Sequence, residues 1–146
     1  MAMATSVRDT GATRRGARSP SSPASRLLLL ASLLTIGAAL LPWVATSFGS
    51  FWGLDGPGRW TLYAGFLGLA GAIVRRPRVV ASHAAILALV ALTLPVWQLA
   101  RLATVCPPGG CLPSAGLLLT GLAGAMAARA AWLAITGDRG LVGGDG

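Results

Sequence analysis

Residues 79–100 read VVASHAAILALVALTLPVWQLA, 22 residues closed off by Arg78 on one side and Arg101 on the other. A bilayer-spanning helix needs about 20 mostly apolar residues, and this run supplies them without one charged side chain. Pro95 lies near one end, where it predicts a kink. Three more apolar stretches surround it, at 27–44, 60–74 and 112–135, and arginines sit beside the ends of each. The layout predicts an all-α fold, an integral membrane bundle of four transmembrane helices.

The other spans are less uniform. Residues 27–44 follow Arg26 directly and close on Pro42 and Trp43. The 15 residues of 60–74 rise only about 22 Å as a helix, short of a hydrocarbon core of about 30 Å. Arg59 and Arg75 can snorkel to lengthen that segment, and Trp60 and Tyr63 suit an interface. We therefore read a span there, with a re-entrant segment as the alternative. In 112–135 the charge of Arg129 falls about 25 Å along the helix, within reach of the far headgroups and level with Trp132.

Composition agrees with lipid as the solvent. Of the 146 residues 54% are hydrophobic and 11% charged, where a soluble domain carries about 25% charged. The length suits one domain. All twelve basic residues are arginine, giving a net charge of +8. They lie in the N-terminal tail or at helix ends rather than in a stripe with interleaved aromatics, so no nucleic acid partner is expected. The basic tail is better suited to anionic lipid.

Arginine placement orients the bundle. With the N-terminus cytoplasmic, ten arginines lie inside, among them Arg26, Arg75, Arg76, Arg78, Arg129 and Arg139, and only Arg59 and Arg101 lie outside. This positive-inside bias predicts N-in/C-in topology and a multi-pass location in the bacterial plasma membrane. The first stretch has a long leader and no small-x-small site after Leu41, so it reads as a retained anchor, not a cleaved signal. Residues 1–25 lack large apolar side chains and are expected to form a disordered basic cytoplasmic tail, with the transmembrane domain over 26–136 and a flexible tail over 137–146.

Seven of the nine aromatics, among them Phe48 and Phe51, fall at the outer face of this topology. Trp43, Trp52, Trp60, Tyr63 and Trp97 there, and Trp132 at the inner boundary, are expected to anchor helix ends at the headgroups. A platform for a lipid, quinone or partner helix is the functional alternative.

Cys106 and Cys111 are the only cysteines, in VCPPGGCLP. The topology puts them in an oxidising compartment, where a disulfide is expected across the Pro107–Pro108–Gly109–Gly110 turn. Thiol–disulfide exchange with a quinone needs a second communicating pair, and the first outer loop has no cysteine. Two thiolates without further Cys or His nearby also make a poor zinc site. His83, the only histidine, is a possible intramembrane polar site. With no Asp or Glu in any span, a helix–helix hydrogen bond or an interfacial place is its expected use.

Small residues recur at helical spacing: Ala64, Gly68 and Ala72; Ala84, Ala88 and Ala91; Gly116, Thr120, Gly124 and Ala128. Such faces let backbones approach in lipid, within one bundle or between copies. No nucleotide loop, catalytic triad or metal cluster appears, so no cofactor is expected.

The Arg-rich, Lys-free leader, LLPW at the end of the first span, GPGRW before the second and RRPR after it together make the chain similar to small four-helix membrane proteins of high-GC actinobacteria. That resemblance implies a plasma-membrane location and contributes no active site. The reading is a non-enzymatic accessory, structural or sensor component of an envelope complex, bound in the bilayer to a membrane-protein partner or to further copies of itself. The other readings are a small transport or channel-type oligomer and an envelope thiol–disulfide redox protein.

Overall fold

Ser22 starts the first helix, α1 (Pro23–Ala39): its hydroxyl accepts the Ser25 N–H at 3.2 Å, and Pro23 takes the first position, where its missing N–H is no loss. The structure is a computed structural model that describes residues 22–46, 49–74, 76–106 and 111–142, with side-chain surroundings up to Gly137. Expectations about Phe48, Arg75, the turn at 107–110, the tail before Ser22, residues 143–146 and the Arg139 side chain lie outside it.

After α1 the order is strand β1 (Pro42–Thr46), strand β2 (Gly49–Trp52), a 3₁₀ turn (Gly53–Asp55), α2 (Gly58–Ile73), α3 (Pro77–Val105), strand β3 (Cys111–Pro113) and α4 (Ala115–Val142). The fold is mostly helical but not all-α. The three strands form one antiparallel sheet in the order β2–β1–β3, with Val44 opposite both Phe51 and Pro113, and Thr46 opposite Gly49 and Cys111. Pro42 explains part of the difference, since it has no N–H to extend α1. The aromatic and β-branched residues that follow then fit a strand.

Helix limits move accordingly. The first stretch, expected over 27–44, is helical only to Ala39, and Leu112 lies in β3 before α4 begins. The helix α3 outruns its apolar core at both ends, and its 29 residues span about 43 Å. At the other end α4 continues to Val142, through much of the segment expected to be flexible. Gly137 and Gly140 cost only about 1 kcal/mol each in a helix interior, too little to force a stop.

The helix α1 packs against α2 and α4, and α3 closes the ring by packing against the same two, leaving the α1–α3 diagonal thin. Both α3 and the Ala115–Gly137 part of α4 are long and apolar enough to cross a membrane, whereas α1 is apolar but shorter. The sheet caps the end where α1 and α3 finish and α2 and α4 start. Arg26, Arg76, Arg78 and Arg129 lie toward the opposite end, and all are exposed.

The interior is built from small side chains. Among the described residues, fourteen of the twenty buried apolar ones are alanine, while exposed leucines occur on all four helices, with exposed Ile73, Ile86 and Ile135, Phe66, Trp60, Trp97 and Trp132 on α2, α3 and α4. Leu30, Phe66, Leu89 and Leu118 are between 53% and 65% exposed. The buried hydroxyls of Ser32, Thr35, Thr61 and Thr120 each donate to a carbonyl of their own helix, at 2.7, 2.8, 2.6 and 2.8 Å. Each polar atom is thereby satisfied without water, as a low-dielectric surrounding requires.

Candidate functional site

Trp43 organises the cap. The β1–β2 register shifts between Pro42 and Val44, and such a bulge re-aims the residue it contains. Trp43 is 2% exposed, and its indole Nε1 donates to the Ala38 carbonyl in the last turn of α1 at 3.1 Å. Two glycines make room for the ring: a Cβ on Gly53 would fall 2.6 Å from Nε1, and one on Gly116 would fall 2.7 Å from Cδ1. Trp43, Val44 and Leu117 form a second core, with Leu102 and Cys111 against it. The expectation that Trp43 anchors at the headgroups is thus corrected, because the ring has been drawn under the sheet.

Beside this core lies a cavity of about 310 Å³. Its walls come from β1 and β2, the 3₁₀ turn and the last turns of α3, and among its lining residues are Phe51, Trp52, Asp55 and Gln98. Cys106 and Cys111 close one side, with their sulfurs at disulfide distance, 2.06 Å. Cys106 caps α3 and Cys111 pairs with Thr46 on the central strand, so the pair ties the end of α3 to the sheet. Aromatic residues, one carboxylate residue and one amide residue are thus among those around the cavity.

Trp52, Trp60, Tyr63, Trp97 and Trp132 are all at least half exposed. Trp60 and Tyr63 meet edge-on with centroids 6.2 Å apart, and the Arg101 guanidinium lies 5.6 Å from the Trp97 ring centroid. Only Trp52 of these lines the cavity.

His83 sits at the opposite end of the bundle. Its Nδ1 is 2.9 Å from the Val79 carbonyl and 3.3 Å from the Ser82 hydroxyl, both on its own helix. Its ring lies against Gly71 of α2, where any Cβ would collide with it. The contact across helices is therefore packing on a glycine. The two expected uses are an interhelical hydrogen bond or an interfacial place; the hydrogen bonds seen are within α3, and the ring is half-buried toward the arginine-bearing end.

The small-residue faces of α2 and α3 point inward, with Ala64, Gly68, Ala72, Ala84, Ala88 and Ala91 buried. A Cβ on Gly68 would meet Ser32 Oγ at 2.5 Å, and one on Gly124 would meet Leu92 Cγ at 2.8 Å. On α4, Gly116, Thr120 and Gly124 are buried but Ala128 is exposed. Strict four-residue steps drift off a face that repeats every 3.6 residues; the buried stripe moves instead to Ala127, Ala130, Ala131 and Ala134.

Sequence reading missed the cavity, because its lining comes from four separate segments. One signal was available: Asp55 is the only acidic residue between Asp9 and Asp138. No family model, curated protein or solved structure matches this chain.

Proposed function

We propose that this chain is a four-span protein of the bacterial plasma membrane, with both termini cytoplasmic, serving as a non-catalytic accessory or sensor component of an envelope complex. The observation that carries the reading is the reversal of side-chain size across the bundle. Alanine, glycine, serine and threonine make up most of the interior, and exposed leucines occur on every helix, joined by Trp60 and Phe66 on α2, Trp97 on α3 and Trp132 on α4. In water that surface would cost about 25 cal/mol for each Å² of apolar area left exposed; in lipid it costs nothing. The shorter α1 and α2 carry the same outward apolar residues as α3 and α4, which supports four spans. Arginines at the end opposite the cap support the orientation.

The accessory role rests on the cap. It is stapled and holds a cavity with recognition groups, and Phe51 and Trp52 stand exposed on the outer strand β2. Affinity capture from native membranes tests it. A membrane partner recovered in fixed ratio, and lost on Phe51→Ser with Trp52→Ser, is the expected result. A chain recovered alone that carries solute or proton flux in liposomes would favour transport instead.

A further inference from the structure

The charge inside the cap cavity is unlike that of the rest of the chain. Twelve arginines outnumber four aspartates, yet among the described residues the cavity is lined by Asp55 and by no arginine. Arg101 shares α3 with Gln98 and Leu102, which do line it, but its guanidinium lies over Trp97. Phe51 and Trp52 line the same space as Asp55, and all three residues are exposed. Aromatic faces attract an organic cation through their quadrupoles, and a carboxylate adds direct counter-charge. Ring faces with a carboxylate thus select an ammonium group and repel an anion.

Size and setting narrow the ligand further. A volume of about 310 Å³ is at the small end of pockets for small molecules, which run from about 300 to 1,000 Å³. It suits a headgroup better than a whole amphiphile. Phe51 and Trp52 are 60% and 54% exposed on the edge strand β2, which leaves the cavity open to an alkyl chain running out past them.

We propose that the cap cavity binds the ammonium head of an amphipathic molecule, with Asp55 as its counter-charge and Phe51 and Trp52 as its ring walls. An ethanolamine phospholipid and a free cationic amphiphile share this chemistry. The proposal does not depend on the accessory role, and only the lipid source rests on the membrane reading.

The test uses the full chain in maltoside micelles. Dodecyltrimethylammonium and dodecyl phosphate are titrated while tryptophan fluorescence is followed, for the wild type, Asp55→Asn and Trp52→Ala. In parallel, native mass spectrometry compares retention of phosphatidylethanolamine and phosphatidylglycerol. The ammonium should bind the wild type in preference to the phosphate. Binding should weaken at least about tenfold in D55N and about threefold in W52A, with thermal midpoints of both variants near the wild type. Asp55-dependent retention of phosphatidylethanolamine would identify a lipid headgroup as the source; ammonium binding without that retention would identify a free amphiphile. Equal affinity in wild type and D55N, or phosphate binding as tightly as ammonium, would overturn the proposal.

Discussion

The Trp43 indole N–H is bonded to the Ala38 carbonyl five residues earlier, at 3.1 Å. This one bond joins the end of α1 to the middle strand of the sheet. Ala38 also accepts the Leu41 N–H at 3.3 Å, and Trp43 returns its own carbonyl to the Ser114 N–H at 3.0 Å, ahead of α4. The residue thus links α1, the sheet and α4, and its replacement should be felt throughout the cap.

Trp43→Ala removes that bond and leaves a void between Gly53 and Gly116, so stability should fall by about 3–5 kcal/mol. Trp43→Phe keeps most of the volume and loses the hydrogen bond, at a cost of about 1–2 kcal/mol. Thermal unfolding in mild detergent, followed by circular dichroism, should rank them wild type, W43F, W43A.

Two glycines on α4 should respond to alanine with opposite signs. At Gly124 a Cβ would meet Leu92 Cγ at 2.8 Å and the Ala91 carbonyl carbon at 3.0 Å, so Gly124→Ala should destabilise by about 1–3 kcal/mol. At Gly121 nothing lies within 4 Å, and Gly121→Ala should stabilise by up to about 1 kcal/mol through helix propensity. Unfolding of the two variants side by side checks the packing of α3 on α4.

Opening the disulfide should cost little. The bridged residues are five apart, and closing so short a loop accounts for about 2 kcal/mol in the chain-entropy picture. Cys106→Ser with Cys111→Ser should lower the thermal midpoint modestly and leave the helical content intact. Limited proteolysis should then cut near the end of α3 faster than in the oxidised protein.

An arginine placed on the outward band should be excluded from the bilayer. Leu89→Arg puts a charge on an exposed position near mid-helix, at a cost of about 2.5–3.5 kcal/mol for membrane insertion, whereas Leu118→Arg puts one in the first turn of α4, where the side chain can snorkel and the cost is smaller. The fraction of Leu89→Arg in carbonate-resistant membranes should drop well below that of Leu89→Ala, with Leu118→Arg losing less against Leu118→Ala.

Helical content was legible in the sequence, because long apolar runs between arginines leave few other structures. The faces of α2 and α3 were legible too, since Ala64, Gly68, Ala84 and Ala88 repeat at helical spacing and are buried. The sheet was not. Pro42–Thr46 is as apolar as the helix before it, and hydropathy does not separate a strand from a helix in a short apolar run. Trp43 was misread for a related reason: a tryptophan near a helix end usually marks an interface, and only the bulge and two distant glycines turn this one inward. The cavity was hidden because Phe51, Asp55, Gln98 and Cys111 meet only after the chain has folded back on itself.

Whether lipid surrounds all four helices can be measured residue by residue. Nitroxide labels on single cysteines replacing Leu30, Phe66, Leu89 and Leu118, one per helix, with the Cys106–Cys111 pair kept oxidised, would be read in liposomes for collision with oxygen and with a water-soluble nickel chelate. A bundle embedded through all four spans predicts high oxygen and low nickel accessibility at every site. High nickel accessibility at Leu30 or Phe66 would contradict it, leaving only α3 and α4 within the membrane.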